Sequence, residues 1–299
     1  MSRILVSGAS GFIGKPLVYF LEKSGHQVIP LVRVSSEMPK DAIAWDLQSQ
    51  QATQSDFEGF DAVIHLAGDP LTLGRWLKAK QASILDSRVM GTMFLSHLLS
   101  SCLAPPKVFI SASAIGYYGN RGEEELTENS SNGNSFLAHV CSAWEEASFS
   151  LKKKGVRCVA TRFGMVLGKG GALKKMLPAY QIGLGATLGT GEQWISWVDV
   201  VDLVRAMGHV IKTESLSGPV NVVSPCPIRQ VEFSKLLAKD LDQPHFVRFP
   251  AWFLHILFGK VADDLLLSSA KVLPAKLLAT NFHFEYSDLK NSFARALIG

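Results

Sequence analysis

Gly8, Gly11 and Gly14 are spaced three apart in Gly8-Ala9-Ser10-Gly11-Phe12-Ile13-Gly14. Glycines at this spacing let a chain turn tightly and come close to a pyrophosphate, while free N–H groups at the start of a following helix face the anion. Gly8, Ser10, Gly11, Phe12, Ile13 and Gly14 are therefore candidate contacts to a dinucleotide. Val32 and Arg33 come next, with Arg33 lying 19 residues after Gly14. An acidic residue roughly 20 residues past the turn receives a ribose 2′-hydroxyl in NAD sites. An arginine there instead pairs with a 2′-phosphate and can stack on adenine, which favours NADP. Tyr117 and Tyr118 could deliver a proton, whereas His139 lies beside the expected face and reads more simply as a surface histidine. Cys141 would be reactive only beside a positive charge.

These residues need a scaffold. A short apolar run at 4–7 precedes the glycine turn, and a helical pattern at 12–24 follows it. Further strand-like runs fall at 27–32, 42–45, 62–66, 107–111 and 158–163, with helical patterns at 76–101 and 136–154. The strands are apolar almost throughout, as in a parallel sheet covered on both faces. The alternation predicts an α/β fold, a Rossmann-type doubly wound sheet. Ligands of such sheets bind beyond the carboxyl ends of the strands. The loops of interest therefore follow Ser7, Val32, Leu66, Ser111 and Phe163.

The pattern changes near Val166. Glycine-rich loops at 168–171 and 183–191 flank one helical segment. Strand-like runs at 195–198 and 220–223 enclose a helical one at 200–212, and the tail from Cys226 reads as helical between prolines. The expected division is 1–165 with 191–225 as the dinucleotide domain, and 166–190 with 226–299 as a smaller, discontinuous substrate lobe. Asp199 and Asp202 sit where a helix begins and are read as caps. Trp194 and Trp197 suit either a cleft wall or packing between lobes.

The chain has 299 residues, 47% of them hydrophobic, and a formal net charge of +4. The basic residues are spread out, apart from Lys152-Lys153-Lys154, which reads as a solvated helix end and not as a nucleic-acid patch. Cys102, Cys141, Cys158 and Cys226 form no CxxC pair, so neither a metal site nor a disulfide frame is expected, and a reducing, cytoplasmic setting is the simpler reading. No signal peptide or membrane span is expected.

Taken together, the glycine turn, Leu66-Ala67-Gly68, Ser111-Ala112-Ser113, Trp144-Glu145, the run from Arg162 to Gly168, Trp197-Val198-Asp199 and Lys271-Val272-Leu273-Pro274 resemble an extended short-chain dehydrogenase/reductase. The resemblance is greatest to the epimerase family's sugar-nucleotide-epimerase-like branch, which lacks the usual Tyr-x-x-x-Lys pair. It implies NADP as cofactor. It places Leu66, Ala67 and Gly68 under the adenosine ribose and pyrophosphate, cofactor contacts at Ser83 and Arg88, and Val166 against the nicotinamide. Ser113 takes the place of the group that polarises the substrate. Leu137 and Cys141 stand where Tyr and Lys should be, so the ordinary proton path is missing and Tyr117 or Tyr118 is the candidate acid. Two readings follow. One is an NADP-dependent oxidoreductase or epimerase acting on a small carbonyl or alcohol, with nucleotide sugars among the candidates by fold analogy. The other is a catalytically silent NADP-binding sensor or scaffold. A homodimer through the helices at 76–101 and 136–154 is a further implication.

Overall fold

The carboxyl end of one central strand sets the architecture. β1 (Arg3–Ser7) pairs in parallel with β2 (Gln27–Arg33) on one side and β4 (Ala62–His65) on the other. β3 (Ile43–Trp45) extends the sheet beyond β2. β5 (Val108–Ala114), β6 (Arg157–Phe163) and β7 (Gly218–Val222) extend it beyond β4. The order is β7-β6-β5-β4-β1-β2-β3, all parallel. The chain winds outward from β1 to β3 and then crosses back to β4. The crevice between β1 and β4 is therefore the switch point at which such a sheet binds its ligand. This computed structural model describes residues 1–34, 38–39, 41–47, 49, 52–71 and 74–297.

The apolar strands serve two cores at once. Ile4 and Val6 face α1 (Gly14–Lys23), where Leu17 and Leu21 are buried, while Leu5, Val63 and Phe109 face the opposite layer. That layer holds α2 (Lys78–Ser100), whose Leu95 and Leu99 are fully buried, and α3 (Phe136–Phe149) packed beside it. With both faces covered, period-2 alternation disappears from the sequence although it persists in space. The helix expected at 136–154 ends at Phe149 and tightens into a 3-10 turn, Ser150–Lys154, closed by Gly155 at φ 77.

The region after Val166 is less regular than its sequence pattern. α4 (Gly171–Gln181) and α6 (Gln230–Asp240) pack a separate core in which Leu173, Trp197, Phe233 and Phe293 are fully buried. α5 (Val200–Lys212) belongs to the layer of α1. The tail is only partly helical. It includes short strands at Ile228–Arg229, Val247–Phe249 and Lys271–Val272, α7 (Ala251–Phe258) and a π-helical turn, Ala262–Leu266. It ends in α8 (Ala275–Ala279) and α9 (Leu289–Leu297). Pro250 and Pro274 stand at the N-caps of α7 and α8, where a missing N–H costs nothing. The strand expected at 195–198 is broken at Ser196. Trp194–Ile195 pairs with Ile228–Arg229, whereas Trp197–Asp199 pairs with Met165–Leu167.

The tail is tied back onto the start of α5. Asp199 Oδ1 caps α5 by accepting the Val201 N–H at 2.8 Å, and its Oδ2 accepts from Ser292 and Arg295. Asp202, fully buried, uses its two oxygens to accept the N–H groups of Glu285 and Tyr286 at 2.8 Å each. Capping therefore describes Asp199, while Asp202 anchors a distant loop.

Candidate functional site

The glycine turn is built for close approach. Gly8 has φ +70, and the Gly11 N–H donates to the Gly8 carbonyl at 3.0 Å. A Cβ on Gly14 would lie 2.1 Å from that same carbonyl oxygen. α1 starts here with no side-chain cap and no acidic residue in its first turn. Lys15 and Leu17 bond back to the Gly11 and Ile13 carbonyls and Pro16 has no N–H, so the N–H groups left for an external anion such as a pyrophosphate are those of Phe12, Ile13 and Gly14. Ser10 and Gly11 are exposed beside it, and Ile13 packs against the core. Phe12 has a different setting. Its ring lies against Gly168, Gly170 and Gly171, where added Cβ atoms would come within 3.1, 2.5 and 2.7 Å of it. Those glycines leave room for the Phe12 ring.

The crevice floor is polar and closed. Ser7 Oγ accepts the N–H groups of Leu66 and Ala67 at 3.1 and 3.2 Å and lies 2.6 Å from His65 Nδ1. With the hydroxyl accepting twice, its proton points to Nδ1. Burial holds His65 down at about 4, so the imidazole is neutral. At the end of β2, Val32 is half-buried and Arg33 is exposed.

Past β4, Gly68 admits the Arg88 chain, which a Cβ would meet at 3.5 Å. Arg88 donates to the carbonyls of Asp69 and Ile84 at 3.0 and 3.1 Å, and its guanidinium lies 5.2 Å from the Trp144 ring. Burial lowers its pKa, with Cys141 and Asp69 the groups that oppose this. Ser83 donates to the Asp69 carboxylate at 2.6 Å, so in this structure it fixes the loop after β4. Val166 sits half-buried in the short strand Met165–Leu167, in register with Val198.

A buried polar row lies one layer deeper. In the sheet register Ser113 stands beside Arg162, and Arg162 beside Asn221. Ser113 donates to Glu145 Oε1 at 2.7 Å, and Arg162 grips the same carboxylate through Nε and Nη2 at 2.8 Å each. Arg162 Nη1 donates to the Tyr118 hydroxyl at 2.8 Å, and that hydroxyl donates to Asn221 Oδ1 at 2.7 Å. The Asn221 N–H in turn reaches Glu128. Burial opposes charge on Arg162, but the hydrogen bonds and charge of Glu145 outweigh it and raise its pKa. Burial pushes Tyr118 up to about 12. Tyr118 is fully enclosed, whereas Tyr117 is half-buried with its ring 3.5 Å from the Arg162 guanidinium carbon.

Glu145, Arg162, Asn221 and Glu128 were not candidates from sequence reasoning. Arg162 and Asn221 carried a signal, polar residues within largely apolar runs on adjacent strands in line with Ser113, whereas Glu128 lies in a polar stretch that gave none. Leu137 and Cys141 are both buried on α3 against the turn after β5, where a Cβ on Gly116 would lie 3.3 Å from Leu137 Cβ and 3.8 Å from Cys141 Sγ. Burial, then the nearby Glu145 charge, pushes the Cys141 thiol up to about 12, which removes it as a thiolate nucleophile. His139 is exposed. Trp197 is fully buried and donates to the Cys226 carbonyl; Trp194 stacks under Arg229 and donates to Glu123.

A cavity of about 780 Å³ opens where the chain before α2, the first turn of α3 and the tail at 258–264 meet. It is large enough for a small-molecule ligand.

Comparison with known proteins fits this geometry. Residues 4–223 match the NAD dependent epimerase/dehydratase family, and residues 249–296 match a domain of unknown function, DUF1731. The chain belongs to the epimerase family. The epimerase family protein YfhF of Bacillus subtilis (strain 168) is 33% identical over 99% of this chain and 98% of its own. The Arabidopsis thaliana epimerase family protein SDR39U1 homolog, chloroplastic, is 35% identical over 97% of this chain and 85% of its own. Among solved structures, human epimerase family protein SDR39U1 (isoform 2), crystallised with NADPH, superposes with a TM-score of 0.89 at 29% identity, covering 99% of both chains. Among the described residues of this epimerase family member, no helix is long and apolar enough to cross a membrane.

Proposed function

We propose that this epimerase family protein binds NADP and uses it to oxidise or reduce a small alcohol or carbonyl compound. The glycine cradle carries the reading: only hydrogen fits at Gly14, and the uncapped start of α1 faces the same place. NADPH in the crystal of human SDR39U1 supports the cofactor. Gly8, Gly11 and the first turn of α1 would hold the pyrophosphate, and Arg33 the 2′-phosphate. Arg88 reaches the neighbourhood of Cys141. It would thus supply a fixed positive charge near the position of the missing Lys. When bound, NADP exchanges a hydride with the substrate.

A silent sensor is the second reading. What favours it is the engagement of both the Ser113 and Tyr118 hydroxyls inside the buried row, with Leu137 and Cys141 unable to move a proton. Titration with NADPH, followed by a screen for NADPH consumption on aliphatic ketones, aryl aldehydes, quinones and nucleotide sugars, separates the two. Binding with turnover supports the enzyme. Binding without turnover supports the sensor, and no binding overturns both.

Arg33→Asp tests the choice of cofactor. A charge-assisted hydrogen bond to the 2′-phosphate contributes about 1.5–3 kcal/mol, or roughly 10- to 100-fold in affinity. NADPH binding is expected to weaken by that factor, with NADH binding unchanged or improved. Titrations with both nucleotides check it, and equal losses for both would remove Arg33 from the phosphate site.

A further inference from the structure

We infer that Asp264 donates the proton to a carbonyl substrate seated in the cavity between α2 and α3, a substrate whose carbonyl bears an apolar or aromatic group. The inference rests on the oxidoreductase reading above and identifies the acid that reading lacks. Asp264 belongs to the π-helical turn and lines the cavity. Ser135 and Phe136, at the start of α3, line the same cavity, so Asp264 faces the turn that carries Leu137. Leu137 occupies the place of the proton-transferring Tyr, so the tail brings a titratable group to the turn of α3 that lost one.

Ser113 and Tyr118 are held in the buried row. Tyr117 stacks on Arg162 and is not part of the cavity lining. Asp263 also lines the cavity but is exposed and pairs with His255 at 2.8 Å. Of the other charged residues that line it, Arg75 donates to the Ile256 carbonyl and Lys260 is exposed. Asp264 is half-buried. Burial, with the Asp263 charge adding to it, raises its pKa against the lowering effect of Leu137 and Ser135. A carboxyl held up in this way keeps its proton nearer to working pH, the condition for general-acid work. The substrate class follows from the wall. Trp76 and Phe136 meet edge to face with centroids 5.9 Å apart, and Phe258 completes an apolar surface.

The step balances with NADPH as reductant. The carbonyl carbon accepts a hydride, and the C=O π pair moves to oxygen. The Asp264 O–H bond breaks as its proton passes to that oxygen. An alcohol and NADP⁺ result, and the Asp264 carboxylate recovers a proton from water at the cavity mouth.

Asp264→Asn, with Glu146→Gln, at an exposed carboxylate of α3 outside the cavity, as the control, tests the idea in the full chain. Two readouts are needed. Carbon-13 NMR of the aspartate carboxyls in the cofactor-free protein, assigned by the peak that Asp264→Asn removes, should show Asp264 titrating above the ordinary carboxylate range. Titration at or below that range overturns the proposal. On the carbonyl consumed fastest in the screen, Asp264→Asn should lower kcat about 100-fold or more, with NADPH affinity unchanged. Wild-type kcat should fall as pH rises through the Asp264 titration, and the variant should lose that limb. Glu146→Gln should keep kcat. Retained kcat in Asp264→Asn overturns Asp264 as the acid and leaves the oxidoreductase reading standing. Absence of wild-type turnover on every carbonyl overturns both.

Discussion

Gly14→Ala is expected to abolish measurable NADPH binding at concentrations that saturate the wild type. The added Cβ would lie 2.1 Å from the Gly8 carbonyl oxygen and 2.8 Å from two Ala9 backbone atoms. None of these is the free end of a side chain, so relief requires the turn itself to open. Overpacking a tight site costs about 1–3 kcal/mol and sometimes more. A backbone clash belongs at the upper end, and each 1.4 kcal/mol is about tenfold in affinity. The Gly11-to-Gly8 hydrogen bond that closes the turn would be strained along with it. Gly91→Ala is the matched control. Its Cβ would make only ordinary contact with Leu47 at 3.7 Å, inside α2, where alanine is the better helix former. Its expected result is unchanged NADPH affinity and an equal or slightly higher melting temperature. Fluorescence titration and thermal melts of the two variants read this directly. Wild-type affinity in Gly14→Ala would mean that the nucleotide does not use the cradle.

The sheet and its ligand crevice were legible because they depend on local signals. Glycine spacing marks the turn, and apolar runs of strand length mark buried strands. What could not be read was carried by register and by long returns of the chain. Ser113, Arg162 and Asn221 lie far apart in sequence and meet only because three parallel strands align them. Ser113 was visible through resemblance, but its partner Glu145 was visible only as part of a Trp-Glu mark, with nothing to say where the carboxylate points. The role of the glycines at 168–171 was not legible for a similar reason. A glycine run looks the same whether it leaves room for a ligand or for the ring of Phe12. Asp264 was hidden because 127 positions separate it from Leu137 and the tail brings them together. Arg33 stands exposed at the end of β2, and its spacing from Gly14 is what marks it.

Glu145→Ala and Arg162→Met should each destabilise the fold by about 3–5 kcal/mol, the usual cost of removing one partner from a buried ion pair. Both groups are almost wholly enclosed: side-chain exposure is 3% for Arg162 and 6% for Glu145. Glu145→Ala leaves a buried guanidinium without its two-pronged acceptor and takes the Ser113 hydroxyl's acceptor away. Arg162→Met leaves a buried carboxylate and frees the Tyr118 hydroxyl from its donor. The double variant removes both charges, so it should be less destabilised than the sum of the two, with a positive coupling read from denaturant midpoints. Additive losses would mean the two side chains do not depend on each other. The same three variants separate a scaffold from a working relay. If the double variant regains most of the stability and also keeps turnover on the best carbonyl, the row only holds β5, β6 and β7 together. If it regains stability while kcat stays low and NADPH affinity is intact, the row is needed to orient Ser113 toward the substrate. A pH profile sharpens the distinction, because a change confined to packing would scale kcat at every pH, whereas loss of an orienting charge beside Ser113 would change the shape of the profile.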